Sequence, residues 1–255
     1  MAIDLTRKGD AAILTLNRPE ALNALSFAIL RELSDVLDTV AASDARVLIV
    51  TGAGEKAFCA GADIKELRNR DLMSQKRGTE LGQSVMSKIA ALPMPSVAVI
   101  NGYAFGGGLE IASACTFRLA TANAKMGLPE IKLGLIPGYG GTQRLPRIIG
   151  EARALEIIMT GRTVEAQEAL AIGLVSRIVE GDPVEAGLEF AKGFTRYSLP
   201  VLHFAREAVM RAGDTPISEG LKIETDLSTL AYQTRDAEEG MAAFEEKRKP
   251  EFKDV

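Results

Sequence analysis

The alternation of hydrophobic and polar positions divides the first part of the chain into short strands and one long helix. Apolar stretches at residues 3–5 and 12–16 flank a polar turn at residues 8–10 and predict a β-hairpin. From about Ser26 to Ala42, apolar residues recur at three- and four-residue steps, which predicts an amphipathic helix. The continuous apolar run at residues 47–50 is typical of a strand covered on both faces.

The middle of the chain repeats one arrangement, a strand followed by a loop with glycines and then a helix. It occurs at residues 47–67 and again at 96–115. Both copies carry glycines where the strand ends, so we expect the two loops to converge on one site. Residues 68–80 are polar and unpatterned and predict a mobile loop before a helix that ends near Pro93 and Pro95.

The remainder of the chain is mostly helical. Strands are predicted at residues 117–120 and 174–179, and the other stretches beyond residue 142 read as helices. Strands that alternate with helices, followed by helices alone, predict an α/β core with a helical C-terminal extension. We place the core at residues 1–195 and the helical region at residues 196–255, although no linker or shift in composition marks a second full domain.

Composition narrows the classes of function. The 255 residues are 47% apolar and carry a net charge of −4, which gives no reason to expect a nucleic-acid partner. The apolar runs are too short to cross a bilayer, and the first residues lack the features of a secretory signal. Cys59 and Cys115 are too few for a disulfide framework or a zinc site, so we expect no metal and a reduced, cytoplasmic setting. With His203 as the single histidine, any catalytic Ser/His or Cys/His pair would depend on that residue.

A glycine cluster and two carboxylates are the strongest chemical signal. Gly106, Gly107 and Gly108 follow an apolar strand and open a helix, where free N–H groups and the helix dipole favour developing negative charge. A plain tight turn explains such a triplet about as well. Glu110 and Glu130, taken singly, are more often structural or surface groups. Together they provide the two carboxylates that general acid–base chemistry requires. If they converge, repulsion and burial would raise the pKa of one of them and leave an acid and a base.

A different class of function is suggested by residues 52–57, which match the dinucleotide fingerprint G-x-G-x-x-A after a strand. That fingerprint should open a helix at once, whereas helix character here begins only near Asp63. A nicotinamide-dependent oxidoreductase is therefore the weaker alternative. An RNA-binding role is a further alternative that the acidic balance disfavours.

An ordered series of motifs runs along the whole chain. The motifs are Leu16-Asn17-Arg18-Pro19 with Leu22-Asn23-Ala24-Leu25, Phe58 to Glu66, Asn101 to Glu110, Pro129-Glu130-Ile131, Pro137 to Leu145, and Glu239 to Arg248. Together they resemble the enoyl-CoA hydratase/isomerase (crotonase) family. The resemblance implies an α/β fold of the ClpP/crotonase type, a spiral of ββα units whose helical C-terminal region builds trimers or dimers of trimers.

The resemblance also implies roles for individual residues. The N–H groups of Ala62 and Gly107 would form an oxyanion hole for a thioester oxygen, with Glu110 and Glu130 as the catalytic carboxylates. Glu110 would help to activate water, and Glu130 would deliver a proton. Positions that would contact the coenzyme A or acyl part of the substrate are Ala24, Lys56, Ala60, Asp63, Ile64, Lys65, Tyr139, Phe244 and Lys247.

Both carboxylates are present, which favours hydration over isomerisation, because a double-bond shift needs no attacking water. The resemblance therefore implies reversible syn addition of water to a trans-2-enoyl-CoA in acyl-CoA degradation. A Δ3,Δ2-enoyl-CoA isomerase, or a hydratase for branched, cyclic or dicarboxylic acyl groups, is the alternative on the same fold. Coenzyme A is then part of the substrate and no separate cofactor is expected. Tyr139 is bulky for its glycine-rich segment, and our hypothesis is that it narrows or polarises the acyl pocket.

Overall fold

The computed structural model describes residues 2–255 as strands and helices in alternation. The strands are β1 (Ile3–Lys8), β2 (Ala11–Leu16), β3 (Val47–Gly52), β4 (Ala57–Cys59), β5 (Ser96–Ile100), β6 (Tyr103–Phe105), β7 (Phe117–Thr121), β8 (Lys125–Gly127), β9 (Val164–Glu165) and β10 (Arg177–Val179). The helices are α1 (Phe27–Ala41), α2 (Ile64–Leu67), α3 (Leu72–Ala90), α4 (Gly107–Ala114), α5 (Gly141–Ile149), α6 (Glu151–Thr160), α7 (Ala166–Ala171), α8 (Pro183–Ala191), α9 (Leu199–Arg211), α10 (Ile217–Tyr232) and α11 (Arg235–Glu245). Short 3₁₀ helices span Pro19–Ala21 and Pro129–Leu133.

The first elements form as their patterns predict. β1 and β2 pair antiparallel as a hairpin. The hydroxyl of Ser26 accepts a hydrogen bond from the N–H of Ile29 at 3.1 Å, which satisfies one of the free donors at the start of α1. Leu30, Leu33 and Leu37 lie on the inner face of α1 and are at most 1% exposed. The predicted hairpin and amphipathic helix are confirmed.

Two sheets make up the core. The larger has the strand order β1-β2-β3-β5-β7-β10 and is parallel from β2 onward. The smaller has the order β4-β6-β8-β9, in which β4–β6 and β6–β8 are parallel pairs and β8–β9 is an antiparallel pair. Every residue of β3 and β5 is buried, which accounts for their continuous apolar runs.

The repeated unit contains one more strand than its pattern showed. The loop predicted between the strand at residues 47–50 and the helix that begins near Asp63 includes β4, so the two copies have the order β3-β4-α2 and β5-β6-α4. Because β4 and β6 pair in parallel, the chain segments that follow them leave the small sheet side by side. The predicted convergence of the two loops is confirmed. The extra strand escaped prediction because it is only three residues long.

The prediction of a mobile loop at residues 68–80 is wrong. α3 begins at Leu72, and the side chain of Asp71 caps it by accepting a hydrogen bond from the N–H of Ser74 at 2.9 Å. Hydrophobic periodicity is weak there because the inner face of α3 carries Gly78 and Gly82, against which aromatic rings pack directly.

Other boundaries shift by smaller amounts. The strand predicted at 174–179 is shortened to β10, and the two-residue strand β9 was not predicted. The strand predicted at 117–120 is β7, which extends by one residue. These differences leave the predicted α/β core with a helical C-terminal extension intact.

The C-terminal helices pack mainly on one another. α9 and α10 contact each other, yet neither contains a fully buried residue. The segment after α11 returns to the start of this region, where Asp254 accepts a hydrogen bond from the N–H of Leu199 at 2.7 Å and forms an ion pair with Arg46. Across residues 2–255, none of the helices combines the length and apolarity needed to span a membrane. The division into regions 1–195 and 196–255 stays a prediction.

Candidate active site

Glu110 lies in the first turn of α4, with 2% of its surface exposed. Its Oε1 atom accepts hydrogen bonds from the backbone N–H groups of Tyr139 (2.7 Å) and Gly141 (2.8 Å). Such bonds stabilise the ionised carboxylate and fix its orientation. The segment 139–141, which leads into α5, therefore holds Glu110 in place.

Glycines at the start of α4 allow other parts of the site to come close. A Cβ on Gly108 would lie 2.0 Å from the carbonyl oxygen of Cys59, so no side chain fits there. A Cβ on Gly106 would lie 2.8 Å from Oε1 of Glu130, and Gly106 also has a φ of +50°. The cluster thus permits the close backbone approach that its composition indicated.

Glu130 lies in the 3₁₀ helix Pro129–Leu133. The fixed φ of Pro129 suits the first position of this helix. Its Oε1 atom is next to Gly106, four residues before Glu110. Its Oε2 atom is buried and makes no hydrogen bond with any atom of residues 2–255. The half-buried carboxyl group therefore keeps one oxygen available inside the site.

The two carboxylates interact electrostatically. Burial raises the pKa of Glu110 to about 7; the charge of Glu130 adds to the rise, while the Gly141 and Tyr139 N–H groups and Arg144 oppose it. Burial also raises the pKa of Glu130. The sequence led us to expect a raised pKa for one of the pair, and the structure raises both. Both groups can therefore exchange protons closer to neutral pH than exposed glutamates do.

Two backbone amides lie on the loops that converge beside these carboxylates. Leu25 pairs with Ala62 as an isolated parallel bridge, in which the N–H of Leu25 donates to Gly61 (2.8 Å) and the N–H of Asp63 donates to Leu25 (2.7 Å). A Cβ on Gly61 would lie 3.8 Å from the backbone nitrogen of Gly107, so the two loops are adjacent. Within residues 2–255, neither the Ala62 nor the Gly107 N–H donates a hydrogen bond to the backbone. Two free donors thus lie on neighbouring loops.

Tyr139 occupies the space between α3 and the start of α4. It is 8% exposed, and Cβ atoms on Gly82 and Gly107 would meet its ring at 2.1 Å and 3.4 Å. Burial, with a smaller contribution from the charge of Glu110, raises the pKa of the phenol to about 12. The hydroxyl group therefore stays protonated at neutral pH. Its ring takes up volume beside Gly107.

Several of the predicted substrate contacts lie on the rim of this region. Asp63 caps α2 by accepting from the N–H of Lys65 at 3.2 Å and pairs with Arg18 at 3.3 Å. Ile64 is 47% exposed. Ala24 and Ala60 are half-buried, and the Lys56 and Lys65 side chains are exposed. The structure brings Ala24, Ala60, Ala62, Asp63, Ile64 and Lys65 together through the pairing of the Leu25 and Ala62 segments.

Phe244 and Lys247 are not brought to this region within one chain. Phe244, at 85% exposed, borders a cavity of about 740 Å³ that is lined by the C-terminal helices and Phe252. Lys247 follows α11 with an exposed side chain. Their predicted role in covering a nucleotide remains a prediction.

The dinucleotide interpretation of residues 52–57 is wrong. A Rossmann-type turn leads from a strand directly into a helix, but here β3 is followed by β4. A Cβ on Gly52 would meet the backbone of Phe58 and Ala57 at 2.4 Å, so this glycine allows two strands to pack closely. No group of three or more His, Cys, Asp or Glu within the described chain is arranged to hold a metal ion.

Some neighbours of the site were not singled out from sequence. Arg144 affects the pKa of Glu110, and Gly82 provides the surface for the ring of Tyr139. Glu66 and Arg70 both affect the pKa of Tyr139. Arg144 lies within the motif Pro137 to Leu145, which was its only signal. Arg70 had none, because residues 68–80 were predicted to be an irregular loop. Gly82 had none either, because the ring that packs against it comes from a distant part of the chain.

Comparisons with known proteins agree with this architecture. The family model described as Enoyl-CoA hydratase/isomerase matches residues 6–255. The chain is 40% identical to the crotonyl-CoA hydratase of Syntrophomonas wolfei, over 98% of this chain and 97% of that protein. It is 39% identical to the short-chain-enoyl-CoA hydratase of Clostridium acetobutylicum, over 97% and 95% of the two chains.

A solved structure agrees equally well. The crystal structure of an enoyl-CoA hydratase from Bacillus anthracis superimposes with a TM-score of 0.95 at 39% identity, covering 100% of both chains. The predicted fold class is confirmed by this similarity. This chain belongs to the enoyl-CoA hydratase/isomerase family.

Proposed function

We propose that this protein catalyses the reversible syn addition of water to a trans-2-enoyl-CoA, giving a 3-hydroxyacyl-CoA. The observation that carries the proposal is the placement of the buried carboxyl group of Glu110 and the half-buried one of Glu130 at the glycine turn that opens α4. The names of the Syntrophomonas and Clostridium relatives support the same reaction. Coenzyme A belongs to the substrate, and the reaction requires no separate cofactor.

The amides of Ala62 and Gly107 would bind the thioester oxygen. As water attacks Cβ, negative charge moves onto this oxygen in an enolate-like transition state. A preorganised donor at such a position is worth about 3–4 kcal/mol of activation free energy. The adjacency of the Gly61 and Gly107 backbones supports this assignment.

Glu110 and Glu130 divide the proton transfers. Glu110, with a pKa of about 7, has a substantial ionised fraction at neutral pH and takes a proton from the attacking water. The remaining hydroxide adds to Cβ. In our proposal the pair carries one proton, which is on Glu130 when Glu110 is ionised and which passes to Cα. The proton gained by Glu110 then returns to Glu130, so the pair is restored and the reaction is balanced as substrate plus water giving product.

The hydration assay tests this proposal directly. Crotonyl-CoA loses the absorbance of its conjugated enoyl thioester when water adds. We expect the Glu110→Gln and Glu130→Gln variants to lose about 10²–10⁴-fold in kcat. Glu224→Gln, an exposed change on α10, serves as the matched control and should retain full activity. Full activity in both site variants would show that the mechanism is wrong.

Isomerisation is the second candidate reaction, because the family description includes it. A Δ3,Δ2-isomerase needs one proton shuttle, whereas hydration uses both carboxyl groups. We therefore expect turnover of a 3-enoyl-CoA to be slower than hydration and to depend less on one of the two glutamates. Parallel assays of both variants on a 2-enoyl and a 3-enoyl thioester distinguish the reactions.

Tyr139 sets the preference for short acyl groups in our proposal. Its ring lies against Gly107 and Gly82, where it occupies space next to the proposed thioester site. The relatives named for crotonyl and short-chain substrates support this size. Tyr139→Ala should increase kcat/KM for eight-carbon relative to four-carbon enoyl thioesters. An unchanged ratio would contradict the assignment.

The coenzyme A part of the substrate would lie along the rim described above. Residues proposed to contact it are Ala24, Lys56, Ala60, Asp63, Ile64 and Lys65, joined by Phe244 and Lys247.

We further propose a homotrimer or a dimer of trimers, supported by apolar side chains that α9 and α10 expose, such as Val209 (75%) and Ile217 (79%). The buried free thiols of Cys59 and Cys115 are compatible with the cytoplasmic location that we propose. Analytical ultracentrifugation tests the oligomeric state.

A further inference from the structure

Arg144 contacts residues 139–141, the segment that holds Glu110 in place. It lies in the first turn of α5, and its Nη1 atom donates a hydrogen bond to the carbonyl oxygen of Tyr139 at 3.1 Å. A Cβ on Gly140 would lie 2.1 Å from this nitrogen, and Gly140 has a φ of +110°. Residue 140 is therefore glycine for two reasons, its backbone conformation and the space that the guanidinium group requires.

The same short segment connects Arg144 to Glu110. Tyr139 accepts from Arg144 through its carbonyl oxygen and donates to Glu110 through its N–H, while Gly141 supplies the second N–H. A displacement of residues 139–141 would change both hydrogen bonds to the carboxylate. Arg144 is thus placed to hold the segment that holds Glu110.

Arg147, one turn further along α5, is an arginine with a structural role and serves as a comparison. It donates from Nε and Nη2 to Oδ1 of Asp214, at 3.2 Å and 2.8 Å. Arg144 forms no ion pair with a carboxylate within the described chain, and burial lowers its pKa. A half-buried cation without a carboxylate partner exerts a stronger field on nearby groups than an exposed, paired one.

Three titratable groups from other segments, Glu130, Tyr139 and Arg144, interact with Glu110. Glu130 approaches from the 3₁₀ helix and raises its pKa, and the phenol of Tyr139 stays neutral beside it. Arg144, from α5, is the cation that lowers the pKa of Glu110. Its loss would leave burial and Glu130 opposed only by the two N–H groups.

We propose that Arg144 is a positioning residue for the hydration reaction: it anchors the Tyr139–Gly141 segment against Glu110 and supplies a positive charge that favours the carboxylate form of Glu110. Arg144 does not contact the substrate in this proposal, which rests on the proposed function of Glu110. A purely structural role in capping α5 would leave the protonation of Glu110 unchanged.

The experiment compares Arg144→Met, Arg144→Lys and the matched control Arg147→Gln. For Arg144→Met we expect the acidic limb of the kcat–pH profile to move to higher pH. At pH 7 kcat should fall roughly ten-fold and recover in part at pH 9, with KM changed by less than about two-fold. Arg144→Lys keeps the charge and should retain the wild-type acidic limb with a reduced kcat. Arg147→Gln should match the wild type in both.

A second measurement keeps the test independent of turnover. The pKa of Glu110 is followed by ¹³C NMR of the carboxyl group, assigned by comparison with Glu110→Gln. A higher pKa in Arg144→Met supports the inference even if the wild-type protein proves to hydrate no enoyl thioester. An unchanged pKa and an unchanged kcat–pH profile in Arg144→Met would overturn it. Equal effects of the Arg144→Met and Arg147→Gln changes would also overturn it.

Discussion

Replacing Glu110 by glutamine should stabilise the fold while it removes activity. The glutamine has nearly the same shape, and its amide oxygen can still accept from the N–H groups of Tyr139 and Gly141. The change removes the buried negative charge. Burial is the main reason that the pKa of Glu110 rises from 4.5 to about 7, so ionising this group costs free energy in the folded state.

The magnitude follows from linkage. The difference between 4.5 and about 7, at about 1.4 kcal/mol for each pH unit, gives about 3 kcal/mol. Below pH 4.5 Glu110 is protonated in both the folded and the unfolded chain, and the substitution should have no electrostatic effect. As pH rises from 4.5 through 7, the wild type loses this stability and the variant does not. The advantage of Glu110→Gln should therefore grow from under about 1 kcal/mol at pH 5 to about 3 kcal/mol at pH 8.5.

Urea unfolding followed by circular dichroism at pH 5 and pH 8.5 measures this difference. Glu239→Gln is the control of opposite sign. Arg248 and the N–H of Glu251 lower the pKa of Glu239 to about 2, so its charge contributes stability that is present above pH 4.5 and lost as pH falls through 2. Removing that charge should lower stability at neutral pH. If Glu110→Gln changes stability equally at both pH values, the buried-charge argument is refuted.

Three further outcomes follow from the packing of the site. Gly108→Ala should destabilise the fold by about 2–3 kcal/mol in the same urea assay, because its Cβ would lie 2.0 Å from the carbonyl oxygen of Cys59. Gly82→Ala should push the ring of Tyr139, which a Cβ would meet at 2.1 Å, towards Gly107 and shift the chain-length preference further towards short acyl groups, as kinetics with four- and eight-carbon thioesters would show. Phe244→Ala should raise KM for crotonyl-CoA several-fold with kcat nearly unchanged and no loss of stability, since its side chain is 85% exposed; a lower kcat at constant KM would contradict its proposed place at the nucleotide.

Local sequence determined the elements that depend on near neighbours. The polar turn and alternating apolar residues specify the hairpin of β1 and β2, and Ser26 with the leucines behind it specifies the start and buried face of α1. The continuous apolar run of β3 follows from burial on both faces. Each of these signals lies within one element, so it can be recognised without knowing the fold. The motif series was equally legible and led to the correct family.

α3 shows where such signals fail. Its inner face carries Gly78 and Gly82, which are poor helix formers that fit here because the rings of Phe27 and Tyr139 pack against them. These rings come from distant parts of the chain. The sequence alone does not show that a glycine makes room for another residue, because the position of that residue is known only from the folded chain. The first turns of α3, residues 72–80, were therefore not predicted as helix.

The chemistry of the site was decided by the tertiary structure alone. Glu110 and Glu130 are ordinary residues in the sequence, twenty positions apart, and acquire raised pKa values only because folding buries them and brings them together. The amides of Ala62 and Gly107 become neighbours because β4 and β6 pair in parallel. Arg144 gains its influence through a carbonyl group five residues away in the sequence. Residue types set which groups were available, whereas burial and distance, which belong to the folded chain, set their proton affinities and their partners.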